Sequence, residues 1–385
     1  MKAIRIPSTI TIAPFNDPVW EMPVLGRTLK IVQEEVLSAC GFDCVKEANE
    51  VSLFFADNIW FTSSLIQEFW AQCPKEGGQL AITGPFLEYT RPLQGFDSDA
   101  DIVRLPIYKA AGSSHREERE QLPLIVVTLN AREHESPALH PAFEGISDVK
   151  IPATDRMAHT IQHWFHIHRV NMLALIAMGE GHRRAYEEAS WLGKAWSILN
   201  VLVRARSFNS FRIASALNVL GKGTKIHPTA VLEACVVEED VEVGPFAYVR
   251  GCYLAKGAKI QEHAQVHASV VGPGAIVGRG AMCRMNVLMR GAWISRGQGL
   301  QGSVVGRQAF LAVGTTVLDV SFGRPIHVAH HGKEVSTQTQ FLGACIGHEA
   351  KIGPHVRIGY GQEVPNGTFL TDESVPIVRD RTITP

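Results

Sequence analysis

Val243-Gly244-Pro245-Phe246-Ala247-Tyr248-Val249-Arg250-Gly251-Cys252-Tyr253-Leu254-Ala255-Lys256-Gly257-Ala258-Lys259-Ile260 steps between aliphatic residues by six, five and six. The three steps together span 17 residues, and the same order runs on in both directions. Upstream it reaches Val237, Leu232 and Ile226. Downstream it takes in Val266, Val271, Val277, Cys283, Leu288, Ile294, Leu300, Val305, Leu311 and Val317. Only Cys283 is not aliphatic, and it is still apolar. A helix repeats its apolar stripe at three and four residues, so it cannot produce this spacing. Three short strands per lap, with laps stacked about 4.8 Å apart, produce it directly.

A second ladder checks the first, because the residue two before each apolar position is usually small. One face gives Thr224, Val241, Ala258, Ala275, Ala292 and Ala309; the next gives Ala230, Ala247, Ala264, Ala281, Gln298 and Thr315. The third gives Cys235, Cys252, Ser269, Asn286, Ser303 and Val320. Residues two apart share one side of a strand, so both point inward. The large one fills the interior and the small one sits where the chain turns a corner. Val320 to Phe341 reads as an excursion. The rungs resume at Ile346, Ile352, Ile358 and Val364, with Ala344, Ala350 and Val356 two residues earlier.

The chain has 385 residues, 45% of them hydrophobic and 19% charged, room for two or three domains with a sizeable core. A net charge of −1 argues against nucleic-acid binding and against a polybasic membrane surface, a local patch aside. Met1 to Pro7 lacks a signal peptide's apolar run, and Val170 to Met178 is too short to span a bilayer. Seven scattered cysteines with no zinc spacing fit a reducing cytoplasm.

Upstream of the repeats, Ser8 to Ala13, Val51 to Ala56, Ile102 to Tyr108 and Leu124 to Leu129 read as strands. Thr28 to Cys40 and Ser63 to Gln72 read as helices, the first ending at Gly41 and the second with a Ser cap. The alternation implies an α/β domain over a largely parallel sheet. From His159 to about Leu220 the pattern turns helical, with Trp164, Val170, Leu173, Trp191, Trp196 and Leu199 on apolar faces.

Val243 to Arg250, Gly257-Ala258-Lys259-Ile260 and Gly272-Pro273-Gly274 resemble the bifunctional N-acetylglucosamine-1-phosphate uridyltransferase/glucosamine-1-phosphate acetyltransferase family. In the first half, Pro23-Val24-Leu25-Gly26-Arg27 resembles the stretch after that family's phosphate loop. Leu53-Phe54-Phe55-Ala56-Asp57 resembles its strand ending in a metal-binding aspartate, and Arg169-Val170-Asn171 its second metal ligand. The resemblance implies a nucleotidyltransferase domain, a helical arm and a left-handed β-helix, in that order. It also implies Mg²⁺ at Asp57 and Asn171, and an acyl-CoA donor such as acetyl-CoA at the β-helix.

Two stations depart from the family's pattern. Ile12-Ala13-Pro14-Phe15-Asn16-Asp17 stands at the phosphate loop without a glycine, and Pro14 and Pro18 remove two backbone donors. At the β-helix, the family's catalytic histidine falls on Arg279, a substrate lysine on His267 and a neighbouring glutamate on Gln265. The substrate arginine is retained as Arg250. Arginine is no base near neutral pH, so His267, on one coil with His263, is the candidate base and Arg250 the anion anchor. Arg279 joins the substrate-binding candidates. A further group, His327, His330 and His331 with His348 and His355 one coil on, suggests a loop over a trimer cleft rather than a zinc site.

These readings expect a degenerate nucleotidyltransferase-like α/β domain over 1–180 and a helical linker over 181–222. A left-handed β-helix over 223–370 with a loop at about 320–341 follows, then a tail over 371–385. The expected molecule is a cytoplasmic homotrimer with small-molecule substrates and neither nucleic acid nor membrane as partner. The expected activity is acyl transfer from a CoA thioester to an amino sugar or related amine. Two alternatives stay open: nucleotidyl transfer to a sugar phosphate by the first domain, and a non-catalytic nucleotide-sugar-binding regulator or scaffold.

Overall fold

In the computed structural model the three rung columns lie directly above one another. The described residues are 1–84, 87, 92–93, 101–129, 131–133, 152–206 and 209–371. On one face Ile226 pairs with Val243, then Ile260, Val277, Ile294, Leu311, Ile352 and Leu370, always in parallel register. A second face stacks Leu232, Val249, Val266, Cys283 and Leu300. The third stacks Val237, Leu254, Val271, Leu288, Val305, Ile346 and Val364. The rungs and their small partners form one continuous buried core. The second half is therefore a parallel β-helix. Val219–Leu220 already pairs with Val236–Val237, so its first strand precedes Gly221.

The small ladders explain the corners. Asp240, Gly257, Gly274, Gly291 and Gln308, each 17 residues after the last, all adopt left-handed backbone. Glycine takes that conformation without the roughly 1–2 kcal/mol that a side chain adds. The Cys-Ser-Asn ladder does more than save space. Its side chains accept the backbone N–H of the next lap: Asn218 Oδ1 from Cys235, Ser269 Oγ from Asn286, and Asn286 Oδ1 from Ser303. Asn286 Nδ2 also donates to the Leu300 carbonyl at 2.6 Å. A buried polar column is thereby satisfied within the core.

The excursion is spliced in without loss of register. Val304 pairs with Cys345 where a regular lap would have brought in residue 321. Its neck is closed by the Val320–Phe341 bridge and by Leu342 N–H donating to the Asp319 carbonyl. Beyond the neck, His327–His330 and Lys333–Ser336 form a hairpin.

The first half carries a six-stranded sheet in the order Leu124–Thr128, Gly78–Thr83, Ile102–Ala110, Ser52–Ala56, Lys2–Ile6, Asp43–Val45. Only Ile102–Ala110 runs antiparallel to its neighbours, so the sheet is largely parallel. Thr28 caps the helix Leu29–Ala39 and Gly41 follows it at φ 80°. Four readings need correction. The first strand is Lys2–Ile6; of Ser8 to Ala13 only Thr11–Ile12 is extended. The Ser8 N–H goes to Asp57 Oδ2 and the Ile10 N–H to Ser8 Oγ, so those donors are spent locally rather than on a ladder. The strand Gly78–Thr83 lay hidden in a short run with no alternation, because it is buried on both faces. Thr62, not a serine, precedes the helix Ser63–Gln72, and its hydroxyl accepts from Met157 N–H instead of capping.

The fourth concerns where the helical segment begins and ends, since His159 lies in the strand Ala158–Thr160 and Val219–Leu220 is already a strand. The helix Trp164–Glu188 buries Trp164, Val170 and Leu173 against the sheet domain, and continues past residue 180. In the next helix, Trp191–Ala205, only Ala205 is buried. Trp191, Trp196 and Leu199 are exposed, because no described part of this chain packs over them.

The two halves are joined along one side of the β-helix. Val287, Met289, Val304, Ile326, Val328, Leu342 and Cys345 belong to the same apolar core as the sheet domain. His168 Nε2 meets the Met285 carbonyl at 2.7 Å and His163 Nε2 meets the Ala329 carbonyl at 3.0 Å.

Candidate functional site

Each strand on the second face is three residues long, so its middle residue points in and the two flanking residues point out. The 17-residue register then builds an outward ladder as regular as the inward one. Glu233, Arg250, His267, Arg284 and Gln301 stand in line on consecutive laps. His267 is half-buried between its two arginines, and its Nε2 is enclosed without a hydrogen-bond partner. The ring meets Tyr248 edge-on, with centroids 5.0 Å apart. Burial first, then the charges of Arg284 and Arg250, holds the His267 imidazole below its ordinary pKa of 6.5. The ring is therefore neutral near pH 7, with a nitrogen free to take a proton.

The surroundings fit an anionic ligand. Glu233 is buried, accepts the Tyr248 hydroxyl at 2.9 Å, and lies 3.6 Å from Arg250 Nε. One carboxylate thus steadies Tyr248 and Arg250 together. Arg284 is exposed. Beside them opens a groove of about 430 Å³ walled by Gln265, His267, Met282, Arg284, Gln301 and Asp319. Burial raises the pKa of Asp319, which stands at the neck of the excursion.

The structure brings His267, Arg250 and Gln265 to one face. Arg279 lies elsewhere, on a corner: its backbone N–H donates to Gln261 Oε1 and its guanidinium pairs with Glu262. His263 occupies the same kind of corner, stacked on Phe246 with centroids 5.2 Å apart. Glu233, Tyr248, Arg284 and Asp319 were not singled out from sequence. The first three were findable by stepping from the His267 lap by 17, which the inward ladder already licensed.

The five histidines around the excursion do not converge. His327 is exposed, with Nδ1 3.1 Å from the Pro325 carbonyl. His330 faces His163 edge-on at 5.3 Å, and His331 stacks obliquely on His330. His163 in turn lies 3.3 Å from Glu363 Oε1. His348 sits at the domain junction and His355 is exposed on another corner. The excursion covers this chain's own sheet domain, burying Ile326 and Val328 there. No group of three or more His, Cys, Asp or Glu suited to a metal occurs among the described residues.

In the sheet domain, Asn171 is fully buried and its amide is committed. Oδ1 accepts from Leu25 N–H, and Nδ2 donates to the Pro23 and Ile167 carbonyls, all at 2.8 Å. A metal there would displace the hydrogen bond that fixes the Pro23–Leu25 turn. Asp57 accepts from Ser8 N–H at 2.7 Å through Oδ2, while Oδ1 is enclosed without a partner. Residues 12–17, expected from the resemblance to stand at a phosphate loop, pack against the β-helix. Asp17 takes a two-pronged contact from Arg307, Nη2 to Oδ1 at 3.0 Å, and a third from His348 Nε2 at 3.0 Å. Phe15 stacks on His348 at 4.7 Å, and its carbonyl accepts from Asn366 Nδ2. The Arg307 N–H donates to His348 Nδ1, which leaves the ring proton on Nε2, facing Asp17. Burial pushes the Asp17 pKa up, but the Arg307 and His348 contacts outweigh it and the net shift is downward. His348 is also lowered, by burial first, so at pH 7 it serves Asp17 as a neutral donor and Arg307 supplies the charge.

No family model matches the chain, and no curated protein matches it. Among solved structures it is similar to the polysialic acid O-acetyltransferase OatWY: 16% identity, 40% of this chain, 76% of that one, TM-score 0.20. A mutant of GDP-perosamine N-acetyl transferase from Caulobacter crescentus, in complex with CoA and GDP-perosamine, is similar at 15% identity. That match covers 40% of this chain and 51% of the other, with TM-score 0.14. At these scores neither likeness carries an argument, and the β-helix rests on its own strand pairing.

Proposed function

We propose that the chain is an acyltransferase working on the outer face of the β-helix, with His267 as general base. The observation that carries this reading is a neutral imidazole set between two arginines at the wall of a groove. The donor is an acyl-CoA thioester. The acceptor is the amine of an amino sugar or related compound bearing an anionic group for Arg250 and Arg284. As the amine nitrogen attacks the thioester carbonyl, its proton passes to the His267 imidazole. The C–S bond then breaks and the CoA thiolate takes up a proton. Left-handed winding, and a homotrimer whose neighbouring copies close the groove against water, belong to this reading. Arg279 is left to its pair with Glu262. A reducing cytoplasm agrees with seven free cysteines.

Nucleotidyl transfer is the weaker alternative, because Phe15 and Asp17 are held by the β-helix where the resemblance asks for a phosphate cradle. Mg²⁺ has no role in the proposal. The test is thiol release from acetyl-CoA across a panel of amino-sugar phosphates. Turnover in the parent and a fall of about 10²-fold or more in His267→Asn is expected. Turnover unchanged in His267→Asn overturns the assignment, and silence across the panel overturns the activity.

A further inference from the structure

The helix Trp191–Ala205 poses a problem that the acyl-transfer reading does not touch. Leu192, Trp196, Leu199 and Val203 recur at four, three and four residues, the spacing of one helix face. All four are exposed, at 61%, 69%, 53% and 63%. Trp191 at the helix start is 76% exposed and Ile198 48%. A helix this short is marginal in water without a packed face, and only Ala205 is buried.

The charge around the stripe selects what covers it. From Ala189 to Leu232 the sequence contains no Asp or Glu, although the whole chain has one more acid than base. The same stretch carries Lys194, Arg204, Arg206 and Arg212 on or just after the helix, followed by Lys222 and Lys225. Lys225 is paired with Glu242 across laps, and Arg204 donates to the Asn218 carbonyl while keeping its charge. A second copy seated stripe to stripe would bring this acid-free segment against itself. An anionic lipid surface offers both complements at once, acyl chains for the apolar stripe and headgroups for the bases. Trp196 on the stripe and Trp191 at the helix start suit the boundary between them.

We propose that the helix Trp191–Ala205 is an interfacial anchor that lies on anionic lipid. No helix among the described residues is long and apolar enough to cross a membrane, so the mode is lying on rather than spanning. The β-helix groove is then held beside a bilayer.

The test is co-sedimentation of the full chain with vesicles of phosphatidylcholine alone or mixed with phosphatidylglycerol. Binding to the mixed vesicles, weakened by salt, is expected. The Trp196→Ser/Leu199→Ser double variant should lose at least about tenfold in affinity. Lys194→Glu/Arg204→Glu should abolish the preference for phosphatidylglycerol. Quenching of the unmodified protein's tryptophan fluorescence by brominated lipid in mixed vesicles gives a readout that needs no variant. The idea fails if the parent ignores phosphatidylglycerol vesicles, if no quenching occurs, or if the double variant binds as well as the parent. It fails equally if light scattering without lipid shows that the double variant lowers the subunit number, because the stripe then covers another copy.

Discussion

Lowering the pH from 7 to 5 should strip about 4 kcal/mol from the folded state through two histidines alone. His168 and His159 are buried, at 6% and 0% exposure. Burial, aided by the nearby Arg169 charge, takes the His168 pKa down from 6.5 to about 4, against the opposing hydrogen bond to the Met285 carbonyl. The same causes take His159 down to about 3, opposed by its bond to the Thr160 carbonyl. Both folded pKa values are depressed, so the unfolded chain binds more protons below pH 6.5. Stability is then fully present above 6.5 and is lost as the pH falls towards the folded values. At pH 5 each histidine has forfeited about 2 kcal/mol, from roughly 1.4 kcal/mol per pH unit. The whole chain has a margin on the order of 5–15 kcal/mol. Urea midpoints at pH 7 and pH 5 measure the drop. His168→Gln keeps an N–H donor for the Met285 carbonyl but does not titrate, so its drop should be smaller than the parent's by about 2 kcal/mol. An equal pH 7-to-5 drop in the parent and in His168→Gln refutes the argument, as does no drop at all.

Asp17→Asn removes the charge that Arg307 grips between the two halves and should cost about 1–3 kcal/mol, read as earlier proteolysis between them. Because the Asp17 pKa is depressed, the same contact in the parent holds above the ordinary carboxylate value of 3.8 and fails as the pH drops below it, apart from the histidine window. Asn286→Ala leaves the Ser303 N–H unpaired in the core, removes the side-chain donor to the Leu300 carbonyl, and should lower thermal stability by about 1–3 kcal/mol, whereas an exposed corner change such as Gln308→Gly should cost little. If His267 is the base, the rate of thiol release should fall as the pH is lowered, with its midpoint below 6.5; a midpoint above that value excludes this residue.

The β-helix was legible because every lap meets the same environment, so the period is written into the sequence many times over. The sheet domain states each strand once. Where a strand alternates or a cap follows rule, as at Thr28, it could be read; where burial is two-sided, as at Gly78–Thr83, it could not. Trp196 and Leu199 were placed on an apolar face, and they stand exposed because periodicity reports that a face is apolar and not what covers it. The excursion's histidines looked like one cluster because they are close in sequence. The structure sends His348 to Asp17 and His330 to His163, and neither destination carries a local signal. His267 was singled out on a resemblance that placed a lysine there. What distinguishes it physically, an arginine one lap above and another one lap below, follows from the 17-residue register alone.

The same register explains how the excursion ties the two halves to the groove. A loop inserted into a solenoid is tolerated only if the chain re-enters in phase, since the rungs on either side must still stack. Phase is kept here by closing the neck: Ser303 Oγ accepts from Ala344 N–H, Gly343 N–H donates to the Gly302 carbonyl, and Leu342 N–H donates to that of Asp319. Closing the neck fixes Asp319 at the groove wall on one side and buries Leu342 in the sheet-domain core on the other. Closure entropy grows slowly with loop length, so the residues beyond the neck are a modest burden. Their burial of Ile326 and Val328 against the sheet domain offsets it. The sheet domain is therefore coupled to the groove mechanically, through the neck.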